Sequence, residues 1–175
     1  LRDYQKVGFQ WLKGLSRNGL GGILADDMGL GKTLQVLAFV LSEKENSSKA
    51  LPSLVVAPTS LVYNWVLEAE KFTPELNVLA ISGNQAQRLP LLEKIHECDL
   101  VVTSYPLIRR DIEYYKKHQF SYCFIDEAQH VKNHYTQSAK AVRRINAKNR
   151  FALTGTPMEN SLLELWSIFD FIMPS

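Results

Sequence analysis

At 175 residues, with 46% hydrophobic and 22% charged side chains, the chain has the composition of one globular domain and excludes a disordered segment or a fibre. Twenty Lys and Arg against eighteen Asp and Glu leave a net charge of only +2, so a nucleic-acid partner has to be argued from a site rather than from overall charge. Two cysteines, Cys98 and Cys123, have no partnering His or Cys spacing, which points away from zinc and from a disulfide framework and fits a reducing compartment. No apolar run approaches the ~20 residues of a membrane span, and no membrane partner is expected. The chain opens at Leu1, without Met and without a basic-then-apolar leader. It is expected to be an excised piece of a longer intracellular protein.

An opening helix is expected from about Tyr4 to Leu15, followed by a strand at Gly22–Ala25. Leu34, Leu37, Ala38 and Leu41 then share one helical face, and the polar stretch Glu43–Lys49 ahead of Pro52 reads as a surface loop. Ser53–Ala57 is the second strand, and Leu61, Trp65, Ala69 and Phe72 form the next helical stripe. Strands follow at Val78–Ile81, Leu100–Thr103, Cys123–Asp126 and Phe151–Thr154. Several are apolar without alternation, as expected when both faces are covered. Ser161 and Glu164 have capping-box spacing ahead of a stripe of Leu165, Trp166, Phe169 and Met173. Apolar strands alternating with amphipathic helices predict one α/β domain over 1–175, a mostly parallel central sheet with helices on both faces.

Three segments carry chemistry, each placed after a strand. Asp26-Asp27-Met28-Gly29-Leu30-Gly31-Lys32-Thr33 joins a strand to a helix. Phosphate binding needs backbone N–H groups that approach closely, a helix N-terminus and a mobile cation. Gly29 and Gly31 permit the approach, Lys32 can reach the β/γ-phosphates, and the Thr33 hydroxyl can hold Mg2+. The Walker pattern wants Gly where Asp26 stands, and the strand-to-helix context compensates. Asp126-Glu127-Ala128-Gln129 ends an apolar run, where Asp126 can hold the metal and Glu127 can position or deprotonate the attacking water. Strand ends on the carboxyl side of a parallel sheet converge, so Asp126 and Lys32 can meet. Leu153-Thr154-Gly155-Thr156-Pro157 puts two hydroxyls around a glycine at a third strand exit. Without the other two segments it would read as a simple turn. His130 has no metal-ligand spacing, and no chemistry is assigned to it.

The order of these segments resembles the first RecA-like lobe of a superfamily-two helicase-type motor. The details resemble the Swi/Snf-type DNA translocases, the chromatin-remodeller-like ATPases. Leu1-Arg2-Asp3-Tyr4-Gln5 ahead of Gly8-Phe9-Gln10-Trp11-Leu12 is similar to that family's opening motif, as are Ala25 to Thr33, Asp126 to Asn133 and Leu153 to Asn160. Asp26 is what this family carries. The family more often has Glu where Asp27 stands and His where Gln129 stands, departures that bear on subfamily more than on function.

The resemblance implies a RecA-like P-loop fold and an ATP-dependent double-stranded DNA translocase that displaces DNA-bound proteins. Mg-ATP would be held by Gln5 on the adenine edge and by Asp26, Asp27, Met28, Gly29, Leu30, Gly31, Lys32 and Thr33. Lys32, Asp126, Glu127 and Gln129 would be catalytic. Pro58, Thr59 and Ser60 match the family's DNA-backbone motifs, as do Thr103, Ser104 and Tyr105, although each group can also be a plain helix cap. Lys132, Asn133, Thr154, Gly155 and Thr156 would contact DNA or couple it to the nucleotide. Trp65 matches an Asn-Trp pair of the family but lies on an apolar stripe, where core packing is the expectation. Lys140, Arg143, Arg144, Lys148 and Arg150 read as a solvated helix face in preference to a DNA track. A second RecA-like lobe of the same parent chain would supply an arginine finger, so this lobe alone should hydrolyse little ATP. The location implied is intracellular and DNA-associated, in cytoplasm and nucleoid or in a nucleus. A strand-separating helicase lobe and a non-hydrolysing nucleotide-binding scaffold remain the alternatives.

Overall fold

A computed structural model describes residues 6, 10, 12–14, 22–25, 31–47, 51–131, 133, 136–154, 167–168 and 170–173. Its centre is a six-stranded sheet of β1 (Gly22–Ala25), β2 (Ser53–Ala57), β3 (Val78–Ala80), β4 (Leu100–Ser104), β5 (Gln119–Ile125) and β6 (Asn146–Thr154), in the order β1-β6-β5-β2-β4-β3. Every strand pairing described is parallel. Among the described residues, five α-helices connect the strands: α1 (Lys32–Asn46), α2 (Thr59–Phe72), α3 (Gln85–Leu92), α4 (Tyr105–Tyr115) and α5 (Gln137–Arg143). The expected parallel α/β sheet is therefore observed.

Alternate strand residues feed two separate cores, as the two-residue period of a strand requires. Val55, Ala57, Tyr122, Phe124, Phe151 and Leu153 face α1 and α2. Leu54, Val56, Cys123, Ile125 and Ala152 face α3, α4 and α5. On the first face Phe39 meets Tyr122, Phe124 and Phe151 edge-on, and Phe124 stacks on Phe151 at 5.3 Å. Such rings bury large apolar area in fixed geometry, which pins α1 to β5 and β6.

Four expectations need correction. The stripe Leu34, Leu37, Ala38, Leu41 is rotated from the true one, because α1 buries Lys32, Gln35, Val36, Leu37, Phe39 and Val40. Its polar positions Lys32 and Gln35 lie inside as well. The expected loop from Glu43 is instead the last turn of α1, which runs to Asn46. There Lys44 reaches Asp99 at 2.8 Å. β5 and β6 begin four and five residues earlier than Cys123 and Phe151, at Gln119 and Asn146. Their first halves alternate in burial rather than running apolar, so the apolar criterion missed them. The basic run is not one helix face: Lys140 and Arg143 lie on α5, Arg144 caps it, and Lys148 and Arg150 lie on β6. At the chain's end Ile168, Phe171 and Ile172 are buried, and Met173, the one described member of the expected stripe, is 58% exposed. Leu165, Trp166, Phe169 and the Ser161/Glu164 pair lie outside the described residues.

Candidate nucleotide site

The sheet order gathers the chemical segments on one edge. Ala25 pairs with Thr154, β5 lies between β6 and β2, and Ala57 pairs with Ser104. The carboxyl ends of five strands thus emerge in the order β1, β6, β5, β2, β4. Asp126 follows β5, two strands from the end of β1, roughly 10 Å away at strand spacing. That is within reach of a lysine side chain extending from the start of α1.

Helix α1 begins at Lys32, with Gly31 as its N-cap at φ 95° and without a side-chain cap. Only glycine takes that backbone angle without Cβ strain. The open first turn leaves helix N–H groups available to an anion. Lys32 is 5% exposed, and its Nζ has no hydrogen-bond partner among the described residues. A buried ammonium without a partner is costly, so the residue fits a site completed by phosphate. Thr33 stands half-buried beside it in the same turn.

Asp126 is 6% exposed. Its N–H donates to the Val56 carbonyl at 2.7 Å, which locks it to β2. Its Oδ2 accepts the indole N–H of Trp65 at 2.9 Å, and its Oδ1 accepts the Glu127 N–H at 2.8 Å. Burial pushes the Asp126 carboxyl up from its usual range, opposed by the Trp65 bond, the Lys32 charge and the Glu127 N–H. The nearby Glu127 charge adds to the rise. A carboxylate with open lone pairs beside an unpartnered ammonium suits a hard divalent cation carried with a phosphate. Asp126 and Thr33 would hold such a cation, Mg2+ being the one that accompanies nucleotides, and it would neutralise charge on a bound phosphate.

Glu127 is the one non-glycine residue with positive φ among those described, at 50°. Left-handed backbone at a carboxylate is strain that persists only where surroundings impose it, and such strain concentrates at working sites. Its Oε2 accepts the Gln129 side-chain N–H at 2.6 Å, while Gln129 Oε1 is buried without a partner among the described residues. The amide therefore aims Glu127 and keeps one acceptor unused. Lys32, Asp126, Glu127 and Gln129 are brought to one edge, as the sequence predicts. Gln5, Asp26, Asp27, Met28, Gly29 and Leu30 lie outside the described residues.

The residues assigned to DNA divide. Pro58 caps α2 without a side-chain bond, and Thr59 and Ser60 are exposed in its first turn, free to meet a phosphate. Thr103, Ser104 and Tyr105 are buried. Thr103 donates to the Ile81 carbonyl at 3.2 Å, and Ser104 caps α4 by accepting the Leu107 N–H at 3.4 Å. The Tyr105 hydroxyl donates to the Asp126 carbonyl at 2.6 Å. These three side chains hold the strand exit together and have no group turned outward for a DNA contact. Asn133 is exposed, with its carbonyl accepting the Thr136 N–H and O–H at 3.2 and 3.1 Å. Thr154 is buried at the end of β6. Lys132, Gly155 and Thr156 lie outside the described residues.

Sequence reasoning missed two functional contacts. Trp65 is core, as expected, yet its N–H serves the acidic segment. The signal was available, because a buried indole needs an acceptor for its N–H. His130 stacks on Tyr105 at 5.0 Å between ring centres and braces the same corner.

The SNF2-related domain family matches residues 4–175. The TATA-binding protein-associated factor MOT1 of Saccharomyces cerevisiae is 44% identical over 185 residues, covering 99% of this chain and 10% of that protein. An uncharacterized ATP-dependent helicase of Mycoplasma genitalium, MG018, is 42% identical over 175 residues, covering 100% of this chain and 17% of its own length. The Sulfolobus solfataricus SWI2/SNF2 ATPase core in complex with dsDNA superposes with a TM-score of 0.89 at 41% identity, over 99% of this chain and 36% of that one. The chain thus spans under a fifth of these curated relatives and about a third of the solved core.

Proposed function

Since this chain belongs to the SNF2-related domain family, we propose that it is the ATP-binding lobe of a double-stranded DNA translocase, coupling ATP hydrolysis to movement along DNA and displacement of bound proteins. The observation that carries this reading is the buried Lys32 ammonium, without a partner among the described residues, whose charge acts on the Asp126 carboxyl at the end of β5. Lys32 and the open turn of α1 bind the β/γ-phosphates of Mg-ATP, and Glu127, aimed by Gln129, takes the proton of the attacking water. Thr59 and Ser60, at the exposed start of α2, contact the DNA backbone without reading sequence. A second RecA-like lobe of the parent chain completes the site with an arginine finger, worth on the order of 10³–10⁵ in turnover in comparable phosphoryl transfers. Such a motor works where DNA is, in a nucleoid or a nucleus. The solved relative's complex with dsDNA and the association of another relative with the TATA-binding protein support a DNA track and a DNA-bound protein as cargo.

The test uses Lys32→Ala in the full-length protein. ATP binding and DNA-stimulated turnover fall to background while the melting temperature holds. Turnover at the wild-type rate in that variant refutes the assignment. In the same assay, residues 1–175 alone turn over ATP near background, with or without duplex DNA. Robust DNA-stimulated turnover by the isolated lobe contradicts the need for a second one.

A further inference from the structure

Asp126 is gripped from both faces of the sheet. From the α1/α2 face, Trp65 donates its indole N–H to the carboxylate Oδ2 at 2.9 Å. From the opposite face, Tyr105, the first residue of α4, donates its phenol O–H to the Asp126 carbonyl at 2.6 Å. The Glu127 N–H occupies Oδ1 at 2.8 Å, and the Asp126 N–H is spent on Val56. These bonds leave about two of the roughly four acceptor sites of the carboxylate open, one on each oxygen.

Packing alone does not account for this arrangement. Both donors are almost wholly buried, at 1% for Trp65 and 3% for Tyr105, where a hydrogen bond is stronger than one in water. A phenylalanine would fill much of either volume without touching Asp126. The two donors act on different parts of one residue. The indole fixes rotation of the carboxylate about its own axis, and the phenol fixes the main chain that carries it. His130 stacks on Tyr105 and holds the phenol ring in register. Groups that orient a metal-binding side chain in this way matter nearly as much as the ligand itself.

We propose that Trp65 and Tyr105 are positioning residues that together set the orientation in which Asp126 meets the metal accompanying the nucleotide. This rests on the nucleotide site proposed above. The test is equilibrium binding of a fluorescent ATP analogue to the full-length protein, once with Mg2+ and once with EDTA. Trp65→Phe lowers the Mg2+-supported affinity about 10–100-fold, the range for a lost partner of a metal ligand, and leaves the affinity in EDTA unchanged. Tyr105→Phe produces a smaller loss in the same direction. Val62→Ala, which opens a cavity in the same buried surface of α2 without touching Asp126, leaves the ratio of the two affinities unaltered. Affinities of both Phe variants that move equally in Mg2+ and EDTA, or not at all, overturn the proposal. Tyr105→Phe removes a single oxygen, so it decides the matter even where Trp65→Phe does not fold. Wild-type protein that binds no nucleotide under either condition overturns the site itself, and the inference with it.

Discussion

Two clusters of buried charge among the described residues are finished to different degrees. Arg88 on α3 and Asp111 on α4 face each other with Nε–Oδ2 at 2.7 Å and Nη2–Oδ1 at 3.1 Å. The remaining guanidinium arm, Nη1, donates to the Gly83 carbonyl at 2.8 Å. The fork is bidentate and each nitrogen has its acceptor, so the pair needs nothing further. At the carboxyl end of β5, Lys32 has no partner among the described residues, Gln129 keeps an idle oxygen, and Glu127 sits in strained backbone. Burial is nearly the same in both places. What differs is completeness: a closed cluster ties helices together, and an open one waits for a ligand.

The widest separation between the two clusters should appear at Glu127. Its φ of 50° costs a non-glycine residue about 1–2 kcal/mol, and glycine would remove that strain while losing some chain entropy. Glu127→Gly in the full-length protein therefore lowers ATP turnover by about 10²–10⁴, the usual contribution of a positioned general base. The same variant raises stability by up to about 1 kcal/mol. Steady-state ATPase and denaturant titration measure the two effects. A variant that loses stability along with turnover would show that the acidic segment is structural.

Arg88 should give the opposite pattern. Arg88→Met leaves the Asp111 carboxylate buried and alone, which typically costs about 3–5 kcal/mol. The double variant Arg88→Met with Asp111→Leu removes both charges and recovers most of that loss. In folded protein neither change alters ATP affinity. A double variant as unstable as the single would mean that the Gly83 carbonyl, and not the ion pair, is what Arg88 serves.

The contrast also explains what the sequence could disclose. Periodicity exposed the parallel sheet and the strand exits, because a strand covered on both faces is apolar throughout, as Leu54, Val55 and Val56 are. The phosphate-loop and acidic-segment residues stand out in the sequence because phosphate and metal chemistry calls for those residue types. The polar first halves of β5 and β6 were hidden, since pairing at Gln119 and Asn146 comes from neighbouring strands and not from local hydrophobicity. The inward bonds of Thr103 and Tyr105 were hidden for a related reason: a hydroxyl in sequence carries no mark of whether it faces water or a carbonyl. Arg88 and Asp111 sit 23 positions apart and showed no pattern. Only the fold brings them together.

The smallest expected effect tests a titratable group far from the open site. His118 precedes β5, at the amino end of the strand whose other end carries Asp126, and its ring lies 6.3 Å from that of Phe120. Partial burial lowers its pKa, and the charges of His96 and Lys117 lower it further. In the unfolded chain the ring returns to its ordinary value near 6.5. Between those two values the unfolded chain binds the proton and the folded one does not, so stability rises with pH across that interval. The contribution is complete above the ordinary histidine value and declines as pH falls through it. His118→Gln removes that dependence and flattens the stability profile on the acidic side, with little change near pH 8. Urea midpoints at several pH values from 5 to 8 measure it. Because the ring is only partly buried, the slope should be shallow, and ATP affinity should be the same in variant and wild type throughout. A His118→Gln profile as steep as the wild type would assign the acid loss to the carboxylates instead, with Glu113 the first to examine, since Arg144 and Lys116 hold its pKa down.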